Sequence, residues 1–252
     1  MMKKETIKGL VVLLIIVATI VGFNVHRRFS DRHGFARRIA ELSPGGAPPR
    51  TIEDLRKAIG LYEAKIEQHV RDASQTAVYW KILGTRLQDR GLHSEALDAF
   101  ARAIEYTPEQ AVLHHLRGVS ARILGMSSYD DGFGSSRNEP TKQEYYFSLA
   151  EKSFLRAIQL EDRYARPRYM LGLLYVFELN RPEEAIPHLE RFLEISRSHV
   201  DAMFVLARAY FVTGQFQRAL ALYDQIASTT RDPQRQAEAE NNRRIVLGLY
   251  DG

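Results

Sequence analysis

Eight residues between positions 77 and 108 constrain this chain more than its overall composition does: Trp80, Leu83, Gly84, Leu87, Ala96, Phe100, Ala103 and Pro108. The first four stand three or four apart, so they share one face of a helix, and the glycine lets a neighbouring helix come close. Gly91 and the polar residues around it break the pattern. A second helix then presents Ala96, Phe100 and Ala103 on its inner face, and Pro108 ends it.

The register recurs. Ala150, Phe154 and Ala157 repeat the spacing of Ala96, Phe100 and Ala103, and Leu171, Gly172 and Tyr175 repeat that of Leu83, Gly84 and Leu87. Ala185, Leu189 and Phe192 follow one residue late. Leu206, Ala207, Tyr210, Gly214, Ala219, Tyr223 and Ile226 form another nearly complete unit. With these offsets the chain resembles the tetratricopeptide repeat (TPR) family of helix-turn-helix units 34 residues long. The resemblance implies an all-α fold, a right-handed superhelical solenoid over residues 51–252. It would comprise a degenerate first unit, about four fuller repeats, an inserted loop at 126–144 and a capping helix at 234–250.

Charge separates the N-terminus from the rest. Residues 1–50 hold nine Lys and Arg against three Asp and Glu, whereas residues 51–252 hold 26 against 28. A near-neutral array argues against nucleic acid as a partner, since a coat for phosphates carries its positive excess on the folded domain. The chain has no cysteine, which excludes thiolate chemistry and cysteine-held metals.

The basic excess flanks an uncharged run from Gly9 to Val25. Seventeen helical residues reach about 26 Å, at the short end for a bilayer core. No small-residue cleavage site is evident, so the reading is an uncleaved transmembrane anchor at 9–26 after a short basic tail at 1–8. A basic juxtamembrane segment and Pro/Gly linker then occupy 27–50. Together with the family resemblance this implies a membrane-anchored bacterial type, single-pass in the inner membrane with the lipid bilayer as a partner. A lysine-bearing tail before an apolar run looks like the start of an export signal anchor, and with the resemblance this favours a periplasmic repeat domain. The arginines after the run argue for a cytoplasmic one, so the preference is narrow.

Beyond the linker, Thr51 or Asp54 can cap a helix whose apolar stripe is Leu55, Ala58, Ile59, Tyr62 and Ile66. Ala58 and Tyr62 have the offset of Ala96 and Phe100, as in the second helix of a degenerate unit. The second fuller unit departs from the pattern, with His114 where Trp80 stood and Arg117 where Leu83 stood. Its two helices are separated by the Gly- and Ser-rich stretch Met126–Glu144. A last helix rich in Gln, Glu, Asn and Arg would cover the open end of the stack through Ile245, Val246 and Leu249.

No catalytic arrangement emerges. His114 and His115 are adjacent and face different sides of a helix, and Gly132 and Gly134 lack the lysine and helix of a phosphate loop. The expectation is a non-enzymatic protein without metal, cofactor or small-molecule substrate. It would act as an interaction adaptor, with envelope complex assembly as one setting, or alternatively as a structural subunit or homo-oligomer whose groove is permanently filled.

In the family, positions 2, 5, 9, 12 and 13 of each repeat tend to face the groove that takes a protein or peptide. The resemblance therefore points to Val78, Lys81, Thr85, Gln88 and Asp89, then to Val112, His115, Val119, Arg122 and Ile123. Arg166, Tyr169, Leu173, Val176 and Phe177 follow, then Asp201, Phe204, Arg208, Phe211 and Val212. Candidate contacts are Lys81, His115, Arg122, Arg166, Tyr169, Asp201, Phe204 and Arg208, because aromatic and arginine side chains carry most interface energy. Relatives that clamp a peptide carboxylate use lysines, asparagines and arginine. Lys81 and Arg166 fit that set, but Thr85, Leu116 and Met170 depart from it.

Overall fold

The computed structural model describes residues 34–42, 51–128 and 141–250. Among these the regular elements are helices: α1 (34–42), α2 (Ile52–Asp89), α3 (His93–Tyr106), α4 (Ala111–Ser127), α5 (Lys142–Leu160), α6 (Arg166–Leu173), α7 (Pro182–Ile195), α8 (Val200–Val212), α9 (Phe216–Thr229) and α10 (Pro233–Tyr250). The chain divides into two compact units, Met1–Asp72 and Ala73–Gly252, and α2 runs through the boundary.

In the first unit, α1 half-buries Phe35, Ile39 and Leu42, one turn apart. The edge of Phe35 meets the Tyr62 ring with centroids 5.3 Å apart. Thr51 caps α2, its Oγ1 accepting from the Asp54 amide at 3.1 Å. Residues 51–66 do not end in a turn as a degenerate repeat would. They continue without a break into the helix that carries Trp80, because residues 67–76 contain neither Gly nor Pro to stop it.

The second unit is a right-handed stack of helical hairpins, each helix packed on the next. Ala96, Phe100 and Ala103 in α3, Ala150, Phe154 and Ala157 in α5, Ala185, Leu189 and Phe192 in α7, and Ala219, Tyr223 and Ile226 in α9 are all buried. A Cβ added to Gly84 would stand 2.6 Å from Phe100, and one added to Gly172 would stand 2.4 Å from Leu189. These glycines admit the large side chain of the opposite helix. Leu171 and Leu206 are buried in corresponding places, but Trp80 is only half-buried and Leu83 is 44% exposed. Theirs is the first hairpin of the second unit.

The turns explain the late repeat. Leu92 N bonds Leu87 O and Gln215 N bonds Tyr210 O, each five residues back, around Gly91 and Gly214 at φ +74°. The corresponding bond in the third hairpin runs six back, from Arg181 N to Tyr175 O, around Asn180 at φ +49°. The extra residue is accommodated by a π-helical turn over Leu174–Glu178 that continues α6. Ala185 therefore keeps its place in the core while arriving one residue late.

The second hairpin absorbs its departures with polar contacts. His114 Nε2 lies 2.7 Å from Pro108 O, and Arg117 Nε donates to Ser153 Oγ at 3.1 Å. The loop expected at 126–144 is narrower at both ends, since α4 continues to Ser127 and α5 starts at Lys142. There Thr141 and Glu144 form a capping box. The rest of that stretch, residues 129–140, lies outside the described residues.

The expected membrane anchor requires correction. Among the described residues no helix is long and apolar enough to cross a membrane. The longest, α2, carries charges along its length, from Glu53 and Asp54 to Arg71 and Asp72. The run at 9–26, the tail at 1–8 and the linker at 43–50 lie outside the described residues. In α1, Arg37 pairs with Glu41 and Arg38 Nε donates to Gly34 O, so both arginines serve their own helix. A single-pass fold, a bilayer partner, an inner-membrane location in either orientation and a cell-envelope role are therefore not carried forward.

Candidate functional site

The inner face of the second unit is built by the C-terminal part of α2 and by α4, α6, α8 and α10. At its N-terminal end some of the expected contacts are taken up by the protein itself, Gln88 across to α4 and Thr85 within its own helix. Gln88 Nε2 donates to Leu116 O at 3.0 Å and to Ser120 Oγ at 2.8 Å, and Thr85 Oγ1 donates to Lys81 O at 3.0 Å. Lys81 itself is half-buried on this face.

His115 is buried rather than presented to a ligand. Its ring sits 6.0 Å from Phe154 and 5.3 Å from Tyr164, and burial, with the nearby Arg166 charge, lowers its pKa to about 4. Arg122 is also engaged. Its Nη2 donates to Glu178 Oε1, and both side chains are largely buried. Desolvation pushes the Glu178 carboxyl upward, and the Arg122 hydrogen bond offsets only part of that.

Arg166 stands exposed at the start of α6. Tyr169 lies back against the next helices, stacked on Phe192 at 5.2 Å and tilted against His199 at 5.0 Å. Of the residues expected to bind, His115, Arg122 and Tyr169 thus support the wall more than they project from it.

The C-terminal end is different. Asp201 bonds Arg235 of α10 at 2.5 Å, and the Arg235 guanidinium lies 5.5 Å from the Phe204 ring centroid. One turn on, exposed Arg208 lies 5.4 Å from the ring of Phe177, which the π-helical turn leaves 51% exposed. Between α8 and α10 a cavity of about 380 Å³ opens, lined by Phe177, Phe204, Arg208, Phe211, Tyr223 and residues of α10. Arg208 has no ion pair among the described residues, so its charge is available to a ligand.

Glu238, Asn242, Ile245 and Val246 supply the α10 side of this cavity. They stand outside the expected contacts, since the polar composition of α10 points to a cap. A signal for them was present. The fourth unit starts at residue 200, and a further 34-residue step starts a fifth at 234. Offsets 5, 9, 12 and 13 from there are Glu238, Asn242, Ile245 and Val246. Ile245, expected to touch the preceding unit, borders this cavity with Phe204, Phe211 and Tyr223 of that unit and is 50% exposed. The Leu249 side chain lies outside the described residues. Val246 and Ala239 make the buried contact with the stack.

Comparison with known proteins agrees with this architecture. Residues 176–240 match the tetratricopeptide repeat family model. A TPR repeat-containing protein of Borreliella burgdorferi is 22% identical over 237 residues, 94% of this chain and 97% of that one. Among solved structures, YrrB, described as a TPR protein with an unusual peptide-binding site, is similar with a TM-score of 0.57 and 18% identity. That likeness covers 73% of this chain and 83% of YrrB. TTC0263 of Thermus thermophilus, a thermophilic TPR protein, gives 0.51 and 19% identity over 76% of this chain and 93% of its own. The fold is thus the tetratricopeptide repeat solenoid. Among the described residues no group of three or more His, Asp or Glu is placed to hold a metal ion.

Proposed function

We propose that this chain is a non-catalytic scaffold that holds a peptide or protein segment along the inner face of its repeats, anchored between α8 and α10. The observation that carries this reading is the open aromatic cavity with Arg208 at its edge. An apolar side chain of the segment fills the space among Phe177, Phe204, Phe211 and Tyr223, and Arg208 takes a neighbouring carboxylate. Arg166 and Lys81 meet more distant parts of the segment. Tyr169, Arg122, His115 and Asp201 hold the wall in shape. The peptide-binding site in YrrB's description supports a peptide as the ligand class.

Selection from a displayed random-peptide library tests the proposal. The wild-type chain is expected to enrich sequences with an aromatic or aliphatic residue beside Asp or Glu. Arg208→Glu should lose the acidic preference and Phe177→Ala should weaken binding about tenfold or more. Equal enrichment and affinity for both variants would remove the assignment.

A further inference from the structure

Within the first unit, α2 turns toward solvent a stripe that no described residue covers. Ile52, Leu55, Ile59, Tyr62 and Ile66 are between 40% and 72% exposed, although Tyr62 touches Phe35 on one side. Their spacing alternates three and four, which is the seam of a coiled coil rather than the broader stripe of a helix laid on a globular core.

We propose that this stripe is covered by α2 of a second copy of the chain, running antiparallel. The choice rests on charge. With Ile52, Ile59 and Ile66 as a and Leu55 and Tyr62 as d, the flanking e positions are Arg56 and Glu63, and the g positions are Ala58 and Lys65. α1 occupies the g flank, where Lys65 Nζ lies 4.1 Å from the Phe35 ring centroid. The e flank is open, and Arg56 and Glu63 are exposed there with no ion pair among the described residues.

Antiparallel pairing of Ile59 with Tyr62 of the second copy, and of Leu55 with its Ile66, brings Arg56 of each copy beside Glu63 of the other. Slipping by one heptad sets Glu63 on Glu63, or Arg56 on Arg56. Parallel in-register pairing sets Ala58 beside Glu63 and Lys65 beside Val70, with no opposite charges matched. Only the first arrangement both buries the stripe and satisfies the flank. It also places the two α1 helices together on the other side.

Sedimentation velocity of the full chain tests this. The wild type is expected to sediment as a dimer of 28.9 kDa chains, and Ile59→Asp as a folded monomer by circular dichroism. Arg56→Glu or Glu63→Arg alone should weaken the dimer about tenfold, since two attractive contacts become repulsive. An equimolar mixture of those two variants should recover it, because every flanking pair is again opposite. The chain lacks cysteine, so oxidising mixed Ile59→Cys and Tyr62→Cys proteins reports direction, with the mixed disulfide expected to dominate. A monomeric wild type, indifference to charge reversal, or preferential Ile59→Cys homodimers would each overturn the proposal.

Discussion

Arg122 and Glu178, 56 residues apart, form a largely buried ion pair that ties α4 to the π-helical turn after α6. Arg122 Nε and Glu178 Oε2 have no partner of their own. Burial raises the Glu178 pKa, so ionising this carboxyl opposes folding. Its contribution is present below the unfolded carboxylate pKa and is lost as pH rises through the raised folded value. At neutral pH the pair fixes geometry more than it stabilises. Arg122→Met alone is expected to cost about 3 kcal/mol in urea denaturation, by leaving a buried carboxylate unpaired. The double variant Arg122→Met/Glu178→Met should lie close to the wild type. A double variant as unstable as the single one would show that the charges themselves hold the turn.

His115 has the opposite sign of linkage. Its folded pKa of about 4 lies below the usual histidine value because burial, helped by Arg166, disfavours the charged ring. The folded state binds fewer protons, so this stability is present above the unfolded histidine pKa and lost as pH falls from there toward 4. Between pH 7 and pH 5 the loss is about 2 kcal/mol from this residue. Burial also lowers His114 and His188, which add to it in the same direction. His115→Phe, placed between Phe154 and Tyr164, should flatten the pH dependence of the denaturation midpoint. An unchanged slope would assign the acid sensitivity elsewhere.

The repeat core was readable from the chain because small and large residues alternate at fixed steps, as in Ala96, Phe100 and Ala103. The one-residue delay at Ala185 was visible too, although its cause, a π-helical turn, was not: no residue type in Leu174–Glu178 demands one. Within the candidate site, Phe204 and Arg208 were found by offset, whereas the α10 wall was missed. Its polar composition matched a cap, which masked the 34-residue step. His115 has a groove-facing offset, yet Tyr164 and Phe154 close over it. Offset reports direction and says nothing of what covers a side chain.

The turns provide a test of the delayed repeat. Asn180 occupies the left-handed conformation that Gly91 and Gly214 adopt in the regular hairpins. A side chain there costs energy that glycine avoids, and asparagine bears it better than most residues. Asn180→Gly is expected to change stability by no more than about 0.5 kcal/mol, with stabilisation favoured. Gly214→Ala should destabilise by about 1 kcal/mol. Thermal denaturation compares the two. A strongly destabilised Asn180→Gly would mean that the asparagine side chain, rather than its backbone, sets the longer turn.

The sharpest division between holding the fold and binding a ligand falls on adjacent residues of α10. Both border the cavity, but Val246 is buried against the stack, whereas Ile245 is half exposed. Val246→Asp buries a carboxylate at a position only 2% exposed and should lower stability by about 3 kcal/mol. Ile245→Asp leaves its charge in water, so stability should change by no more than about 0.5 kcal/mol. It also puts a carboxylate beside Phe204 and Arg208, where it competes for the guanidinium and repels an acidic ligand. Peptides selected by the wild type should therefore bind Ile245→Asp at least about tenfold more weakly, with the melting curve almost unmoved. If α10 were only a cap, Ile245→Asp would leave binding intact.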